Sequence, residues 1–167
     1  MEDEAVRAIS HEEEGCMIQV PATILVIDDD PHLIKVMTTA LRVLGEFNVI
    51  TATNGIEGLE RCYDAHPDVV VVDVNMPGLD GYQVVRAIRG DPTTAELPLI
   101  ILSAMAQEMD HLAGTLSGAD YYLDKPLNPY ELVAAITRAI EIGRSTRYRR
   151  ILELADGESS DDERSQP

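Results

Sequence analysis

The sequence predicts a doubly wound α/β fold, in which a parallel sheet of five strands lies between two layers of helices. Short apolar runs alternate five times with segments whose apolar residues recur at helical spacing. The runs are rich in β-branched residues and lack alternating polar residues, which is typical of parallel strands buried on both faces. Right-handed helical crossovers between such strands place helices on both sides of the sheet, giving a three-layer sandwich.

The strands are predicted from short apolar runs that end at turn or cap residues. In chain order they are Thr23–Ile27, Phe47–Thr51, Val69–Val72, Leu99–Leu102 and Tyr121–Leu123. The third run is the most apolar of the five, and the fifth is the shortest.

The first two helices are predicted from their start and stop signals. The first begins at Pro31, whose fixed φ suits an opening turn, and ends at Gly45. Asn54 is the predicted N-cap of the second helix, which runs to about Ala65. The predicted apolar face of that second helix consists of Ile56, Leu59 and Tyr63.

Three more helices follow the later strands. Gly81–Arg89 is the third predicted helix, and Ala106–Leu116 is the fourth. Asn128 is the predicted N-cap of the last helix. Its apolar positions are Leu132, Val133, Ile136 and Ile140.

The two ends of the chain differ in composition from the part between them. Residues 1–20 form a predicted acidic, disordered tail, and residues 21–143 form the single predicted domain. Residues 144–167 are predicted to be a helical extension followed by a second acidic, disordered tail. Within them, Arg144–Ala155 continues the last helix with a basic cluster and an apolar stripe.

The composition limits the classes of function. The chain has 167 residues, 45% of them apolar, which is enough for one domain with a core. Its formal net charge of −17 would repel phosphate backbones and anionic lipids, so we expect no direct binding to nucleic acid or membrane. Without a spanning apolar run or a signal peptide, it is expected to be cytoplasmic. The two cysteines, Cys16 and Cys62, predict neither a disulfide framework nor a zinc site.

Polar side chains follow four of the predicted strands at the point where each strand ends. They are Asp28, Asp29 and Asp30 after the first, Asp73 after the third, Ser103 after the fourth, and Asp124 and Lys125 after the fifth. The carboxyl ends of parallel strands meet at one edge of an open α/β sheet, where ligands bind. Asp30 is assigned to capping the first helix, and the others predict a site.

Carboxylates that converge at one edge repel each other, and a hard divalent cation relieves that repulsion. Mg²⁺ prefers oxygen ligands and usually takes one or two carboxylates. Asp29 and Asp73 are the predicted direct ligands, with Asp28 acting through water and a main-chain carbonyl near Asn75 completing the set. Lys125 is a predicted point charge that pairs with Asp73 or with an oxygen bound to it.

A carboxylate beside Mg²⁺ and a lysine suits phosphoryl transfer, which depends on in-line positioning and on neutralising the charge of the transferring oxygens. Asp73 is the predicted nucleophile and would form an aspartyl phosphate. Ser103 is predicted to donate its hydroxyl to a phosphoryl oxygen.

Four stretches of the chain resemble the receiver domains of response regulators in two-component signalling. They are Ile24-Leu-Val-Ile-Asp-Asp-Asp-Pro31, Val69-Val-Val-Val-Asp-Val-Asn-Met-Pro-Gly-Leu-Asp-Gly81, Ile100-Ile-Leu-Ser-Ala104 and Gly118-Ala-Asp-Tyr-Tyr-Leu-Asp-Lys-Pro126. The resemblance covers about Thr23 to Gly143 and implies the flavodoxin-like strand order 2-1-3-4-5. It implies a phosphoacceptor signalling domain that catalyses only its own phosphorylation and dephosphorylation.

The resemblance also implies how the phosphoryl group arrives. Asp73 would accept it from a sensor histidine kinase, a phosphotransfer protein or a small phosphodonor. Asp28 and Asp29 would bind Mg²⁺ or Mn²⁺ together with Asp73 and the main-chain carbonyl of Asn75.

The resemblance implies a switch as well. Lys125 would contact the phosphoryl group and would precede a cis peptide bond to Pro126. Ser103 and Tyr122 would change together, the hydroxyl moving to the phosphate while the aromatic ring turns inward.

No output domain is expected after Gly143, because the remaining residues are few and polar. Output is then predicted to come from a downstream protein that binds near the fourth helix, fifth strand and last helix, or from passing the phosphoryl group onward. The sequence leaves three alternative functions. They are a flavin-binding domain, an interaction module that forms a homodimer through Arg144–Ala155, and an Mg²⁺-dependent phosphatase with an aspartate nucleophile.

Overall fold

A computed structural model of the chain describes residues 21–104 and 118–158. The predicted helix Ala106–Leu116 and the predicted tails at residues 1–20 and 159–167 lie outside these residues. The strands are β1 (Thr23–Ile27), β2 (Asn48–Ala52), β3 (Val69–Asp73), β4 (Leu99–Ser103) and β5 (Tyr121–Asp124). The helices are α1 (Pro31–Leu44), α2 (Gly55–Ala65), α3 (Gly81–Gly90) and α4 (Pro129–Glu158).

The five strands form one parallel sheet in the order β2-β1-β3-β4-β5. This confirms the predicted doubly wound topology and the strand order implied by the resemblance. The order reverses between β1 and β3, which are hydrogen-bonded neighbours although a strand and two helices separate them in sequence. Ligands of such sheets bind beside this reversal, at the carboxyl ends of the strands.

Helices cover both faces of the sheet, as the three-layer prediction requires. On one face, Met37 and Leu41 of α1 pack with Leu132 and Ile136 of α4 over alternate residues of the strands. On the other face, Cys62 of α2 and the apolar residues of α3 pack over the remaining strand residues. The strands β3 and β4 are buried along their whole length, consistent with their continuous apolar sequences.

The predicted helix starts agree with the caps that the structure shows. Asp30 precedes α1 and its carboxylate accepts hydrogen bonds from the main-chain N–H groups of His32 and Leu33. Asn54 caps α2 by accepting a hydrogen bond from the N–H of Glu57. These oxygens satisfy donors that have no partner within the helix, which is why the sequence signal and the boundary coincide.

The predicted apolar face of α2 is wrong at two of its three residues, whereas Leu59 is partly buried and packs against the core. Ile56 is 64% exposed and Tyr63 is 38% exposed, whereas Gly55, Gly58 and Cys62 are the buried positions. Gly58 lies so close to the Ile27 side chain that a Cβ atom would come within 2.5 Å of it. Gly58 lets α2 approach β1, and Gly55 lets it approach Leu79 and Val84 at the α3 side. Because glycines carry no apolar side chain, hydrophobic spacing did not reveal this part of the buried face. The predicted β2 is also shifted, since the strand begins one residue later and ends at Ala52.

The last helix continues well beyond the predicted domain boundary at residue 143. The backbone of α4 is helical from Pro129 to Glu158, a span of 30 residues. Among residues 21–104 and 118–158, no helix has both the length and the apolar content that crossing a bilayer would require.

Candidate functional site

Three carboxylates meet beside the reversal in strand order. Asp73 is the last residue of β3, and Asp28 and Asp29 directly follow the neighbouring strand β1. One carboxylate oxygen from each of these three residues lies within 4.8 Å of the others. Asp28 and Asp73 are only 1% and 3% exposed, whereas Asp29 is exposed and forms the open side of the cluster.

Lys125 reaches this cluster from the turn after β5. Its Nζ atom lies 2.7 Å from Oδ1 of Asp73 and 3.0 Å from Oδ2 of Asp28. Its main-chain N–H donates a 2.7 Å hydrogen bond to the carbonyl oxygen of Ser103, which fixes the turn against the end of β4. The Lys125–Pro126 peptide bond is cis, as the resemblance implies.

Main-chain N–H groups hold the buried carboxylates from the other side. The N–H of Asp30 donates a 2.9 Å hydrogen bond to Oδ1 of Asp28, and the N–H of Asn75 donates a 2.9 Å hydrogen bond to Oδ2 of Asp73. Oδ1 of Asp73 is buried and accepts no well-directed hydrogen bond, although the ammonium of Lys125 is at ion-pair distance. This oxygen therefore keeps acceptor capacity for a further cationic or donor group.

The pKa values of the site follow from this arrangement. Burial raises the pKa of Asp28 above its ordinary value, and the Asp73 charge adds to the rise, although hydrogen bonds from Asp30 and Lys125 oppose it. Burial alone would lower the pKa of Lys125, but its close ion pairs with Asp73 and Asp28 prevail and raise it. The lysine is therefore firmly cationic between two carboxylates.

The remaining predicted site residues lie at or near the same edge. Ser103 ends β4 and is buried, and Tyr122 in β5 is partly buried against the core on the α2–α3 face. Asn75 is exposed and sits two residues after Asp73. The structure thus places every predicted residue except Tyr122 at the carboxyl edge of β1, β3, β4 or β5, and Tyr122 lies two residues before the end of β5. Their chemical roles remain predictions.

The donor set fits a hard divalent cation. Three carboxylates and one ammonium give this small region a formal charge of −2, and two of the carboxylates are buried. Burial of like charges without compensation is unfavourable, and oxygen ligands of this kind are those that Mg²⁺ selects. The exposed position of Asp29 leaves a side through which a cation and its retained waters can enter.

A glycine also shapes the site, although the sequence analysis identified it only as the first residue of the third predicted helix. Gly81, the first residue of α3, lies against the main chain of Asp73, and a Cβ atom there would overlap the Asp73 carbonyl oxygen. The N–H of Gly81 donates a 3.1 Å hydrogen bond to the carbonyl of Val74. The sequence signal for this packing was a glycine in the first position of α3. Because Asp80 already caps the helix, capping does not require a glycine at position 81.

Comparison with known proteins identifies the family. Residues 24–137 match the family described as the response regulator receiver domain. The chain is 39% identical over 119 residues to the probable transcriptional regulator ycf27 of Guillardia theta, covering 71% of this chain and 45% of that protein. It is 34% identical over 133 residues to the DNA-binding dual master transcriptional regulator RpaA of Synechocystis sp., covering 77% of this chain and 55% of that protein.

The fold is similar to solved receivers of about the same size. The chemotaxis protein CheY4 of Vibrio cholerae is 30% identical, with a TM-score of 0.68, and the match covers 72% of this chain and 99% of that one. The chain spans about half the length of the two transcriptional regulators but nearly the whole of this receiver structure. With a family match over more than half of its residues, the chain belongs to the response regulator receiver domains of two-component systems.

Proposed function

We propose that Asp73 accepts a phosphoryl group from a phosphohistidine of a sensor kinase or phosphotransfer protein, in a reaction that depends on Mg²⁺ or Mn²⁺. The observation that carries this proposal is the placement of one ammonium between two buried carboxylates, 2.7 Å from Asp73 and 3.0 Å from Asp28. A nucleophilic carboxylate, a fixed cation and an acidic rim are the parts that phosphoryl transfer requires.

In the proposed reaction, a carboxylate oxygen of Asp73 attacks the phosphorus atom of phosphohistidine. The new O–P bond forms as the P–N bond breaks, and the electron pair of that bond leaves with the imidazole. No oxidant or further reactant is needed. The N–H of Asn75 holds the second oxygen of Asp73, which orients the carboxylate for attack in line with the leaving nitrogen.

Lys125 stabilises the product as well as the resting site. Its ammonium is already beside the Asp73 oxygen, so a small shift suffices to bring it to a phosphoryl oxygen. Asp28, Asp29 and Asp73 would hold the divalent cation, with the main-chain carbonyl of Asn75 as a further ligand. The cation supplies neutralisation of negative charge on the transferring oxygens when it is bound.

The phosphoryl group then shifts an equilibrium between two packings of the carboxyl edge. It adds negative charge where Lys125 and the Ser103 hydroxyl can bind it. Ser103 is paired with Asp124 across β4 and β5, two residues from Tyr122. We propose that a downstream protein reads this change, or that the phosphoryl group passes onward to another protein. RpaA is named as DNA-binding; the high negative charge of this chain leads us to propose a protein partner for the receiver itself.

The proposal is tested by incubating the protein with Mg²⁺ and acetyl phosphate and measuring intact mass. Wild-type protein should gain one phosphoryl group, and Asp73→Asn should gain none. Asp64→Asn is the matched control, because Asp64 is an exposed aspartate at the end of α2, which leads into the amino end of β3, whereas Asp73 is at the carboxyl end of that strand. Excess chelator should abolish the gain, and alkaline treatment should remove the label, as expected of an acyl phosphate.

Two outcomes would contradict the proposal. One is retention of labelling in Asp73→Asn, which would move the acceptor elsewhere. The other is continuous release of product from small phosphate esters at a rate that depends on Asp73, which would indicate the alternative aspartate-based phosphatase.

A further inference from the structure

The amino end of α2 packs against the segment that begins α3. Gly55, the first residue of α2, is buried. A Cβ atom at this position would lie 2.6 Å from the carbonyl oxygen of Leu79 and 2.9 Å from a side-chain methyl group of Val84. Leu79 belongs to the connection between β3 and α3, and Val84 belongs to the first turn of α3. The two elements therefore meet without space for a side chain at position 55.

The same segment, residues 79–84, also lies against the residue proposed to accept the phosphoryl group. Gly81 is part of this segment, and a Cβ atom there would overlap the main chain of Asp73. The N–H of Gly81 donates a hydrogen bond to the carbonyl of Val74, which closes the connection between β3 and α3. Gly55 and Asp73 thus contact one short segment, so the space left at Gly55 affects where that segment lies against Asp73.

The amino end of α2 is itself held in place. The side chain of Asn54 accepts a 2.9 Å hydrogen bond from the N–H of Glu57. The carboxylate of Glu57 accepts hydrogen bonds of 2.8 Å and 2.9 Å from the N–H and the hydroxyl of Thr53. One turn into the helix, Gly58 lies against the side chain of Ile27 in β1. Because α2 is fixed in this way, a side chain added at its first residue would act on the start of α3.

A displacement of the Asp73 main chain would change both contacts of its carboxylate. Oδ2 accepts a 2.9 Å hydrogen bond from the N–H of Asn75, and Oδ1 lies 2.7 Å from Nζ of Lys125. Hydrogen bonds weaken steeply as their angle departs from linear. A reacting group misplaced by about 1 Å can lose about a hundredfold in rate. The geometry of the acceptor carboxylate therefore depends on packing outside the acidic cluster.

We propose that Gly55 is a positioning residue for Asp73, an inference that rests on the proposed phosphoacceptor function. Because Gly55 has no side chain, the start of α3 can lie against the Asp73 main chain. The carboxylate of Asp73 then faces the N–H of Asn75 and the ammonium of Lys125. Gly55 is outside the acidic cluster and acts only through residues 79–84.

Gly55→Ala and Gly58→Ala form a matched pair of variants in one helix. Both glycines are buried, and an added Cβ atom would lie 2.6 Å from its nearest neighbour at position 55 and 2.5 Å at position 58. The neighbour at position 55 is a main-chain carbonyl, whereas the neighbour at position 58 is the end of the Ile27 side chain, which can rotate. Both substitutions crowd α2, but only Gly55→Ala should disturb Asp73.

Amide hydrogen exchange, measured by NMR on metal-free protein, reports the hydrogen bond from Asn75 to Asp73. In Gly55→Ala, the Asn75 amide should exchange about tenfold faster than in wild type, as expected for the loss of one hydrogen bond. The amide of Val71, in the middle of β3, is the internal reference and should change by less than about threefold. Gly58→Ala should leave the ratio of these two exchange rates unchanged.

Titration calorimetry with Mg²⁺ alone gives a second measurement without a phosphodonor. Gly55→Ala should weaken Mg²⁺ binding by roughly tenfold, because Asp73 is a proposed ligand whose orientation depends on its supporting contacts. Gly58→Ala should stay within about twofold of wild type.

Leu79→Ala and Leu97→Ala test the same contact if Gly55→Ala does not fold. Both leucines are partly buried against the core on the α2–α3 face. Leu79 lies two residues before α3, whereas Leu97 lies two residues before β4, at the amino edge of the sheet. Leu79→Ala loosens the segment that Gly55 contacts, so the Asn75 amide should exchange faster relative to Val71. Leu97→Ala should leave that ratio unchanged.

Unchanged Asn75 exchange in Gly55→Ala, or an equal change in its matched control Gly58→Ala, would overturn the proposal. The same holds for an equal change in Leu79→Ala and Leu97→Ala. The exchange measurements use unphosphorylated protein, so their result does not depend on phosphoryl transfer. A wild-type protein that acetyl phosphate does not label would instead overturn the proposed function.

Discussion

Gly81 packs against the main chain of Asp73 so closely that a Cβ atom at position 81 would overlap the Asp73 carbonyl oxygen. This contact couples the start of α3 to the residue proposed to accept the phosphoryl group. The carboxylate of Asp73 is buried between Lys125 and the N–H of Asn75, so a small displacement of its main chain changes both contacts.

Replacing this glycine should therefore damage both stability and phosphorylation. We expect Gly81→Ala to lower the free energy of unfolding by about 1–3 kcal/mol, as for other overpacked sites. The rate of labelling by acetyl phosphate should fall as well. Gly90→Ala, in the same helix, is the control, because a Cβ atom there has no neighbour within 4 Å. It should be neutral or stabilise by about 0.5 kcal/mol. Equal effects of the two substitutions in urea unfolding would contradict the packing argument.

Removing the ammonium of Lys125 should leave two buried carboxylates without a counter-charge. We expect Lys125→Met to lower the free energy of unfolding in chelator by about 2–3 kcal/mol, less than for a fully buried ion pair because the lysine side chain is 22% exposed. Adding Asp28→Asn should recover at least half of that loss, because only one buried charge then remains.

The control for this pair of variants is the second lysine of the chain. Lys35 is exposed on α1, and Lys35→Met should change the free energy of unfolding by less than about 0.5 kcal/mol. A loss in Lys125→Met no larger than in Lys35→Met, or no recovery in the double variant, would show that the three charges are not coupled.

Asp29 and Asp30 are adjacent in sequence but should differ in their effect on metal binding. Asp29 belongs to the carboxylate cluster, whereas the side chain of Asp30 caps α1. We expect Asp29→Asn to weaken Mg²⁺ binding by roughly tenfold or more. Asp30→Asn keeps the cap and removes only a charge that lies outside the carboxylate cluster. The Mg²⁺ affinity of this variant should therefore stay within about threefold of wild type. Isothermal titration calorimetry distinguishes the two, and a reversed order would argue against the proposed ligands.

Arg89 of α3 joins the nearby residues Ala95 and Leu97 to Gly118 and Asp120, which are 29 and 31 residues away in sequence. Its guanidinium donates hydrogen bonds of 2.6–2.8 Å to the carbonyl oxygens of Ala95, Leu97 and Gly118, and it forms a 2.7 Å ion pair with Asp120. Removing it leaves several carbonyl groups without this donor.

We expect Arg89→Met to lower the free energy of unfolding by about 2–3 kcal/mol and Arg89→Lys to restore only part of the loss, because an ammonium cannot reproduce the planar fork. Arg86→Met, at an exposed position on the same helix, should have an effect below about 0.5 kcal/mol. Thermal unfolding of the three variants makes the comparison. Full rescue by lysine would show that charge alone matters at position 89.

The buried thiol of Cys62 should make the protein less stable at alkaline pH. The thiol is 1% exposed, and burial raises its pKa from an ordinary 9.0 to about 11. Below pH 9.0, both the folded and unfolded states keep the proton, so the thiol makes no difference to stability there. Between pH 9.0 and about 11, the unfolded state has lost the thiol proton while the folded state keeps it. The free energy of unfolding should therefore fall by about 2–3 kcal/mol in total over this range.

This pH effect is measured by urea unfolding of wild type and Cys62→Ala at about pH 8 and pH 11. The free energy of unfolding of wild type should exceed that of Cys62→Ala by less at pH 11 than at pH 8, because only wild type has the thiol. Cys16→Ala is the control at the other cysteine and should follow wild type. A Cys62→Ala protein with the same alkaline loss as wild type would assign that loss to other groups.

The sequence alone determined the elements and the chemistry available at their ends. Strand runs, helix starts and caps depend on near neighbours in the chain, so Thr23–Ile27 matched its strand and Asp30 and Asn54 matched their caps. Because all strands are parallel, the residues that follow them had to share one edge. The set of Asp28, Asp29, Asp73 and Lys125 could therefore be predicted before any coordinates.

Only the tertiary structure decided which groups touch. That Lys125 binds Asp73 and Asp28 together, and that Arg89 joins Gly118 and Asp120, depends on contacts between residues far apart in sequence. The predicted face of α2 was wrong at Ile56 and Tyr63 for the same reason, because the space beside Ile27 admits Gly58 and excludes a larger residue. The spacing of apolar residues in a segment shows which faces it could bury. The shape of the sheet and helices packed against the segment determines which face is buried.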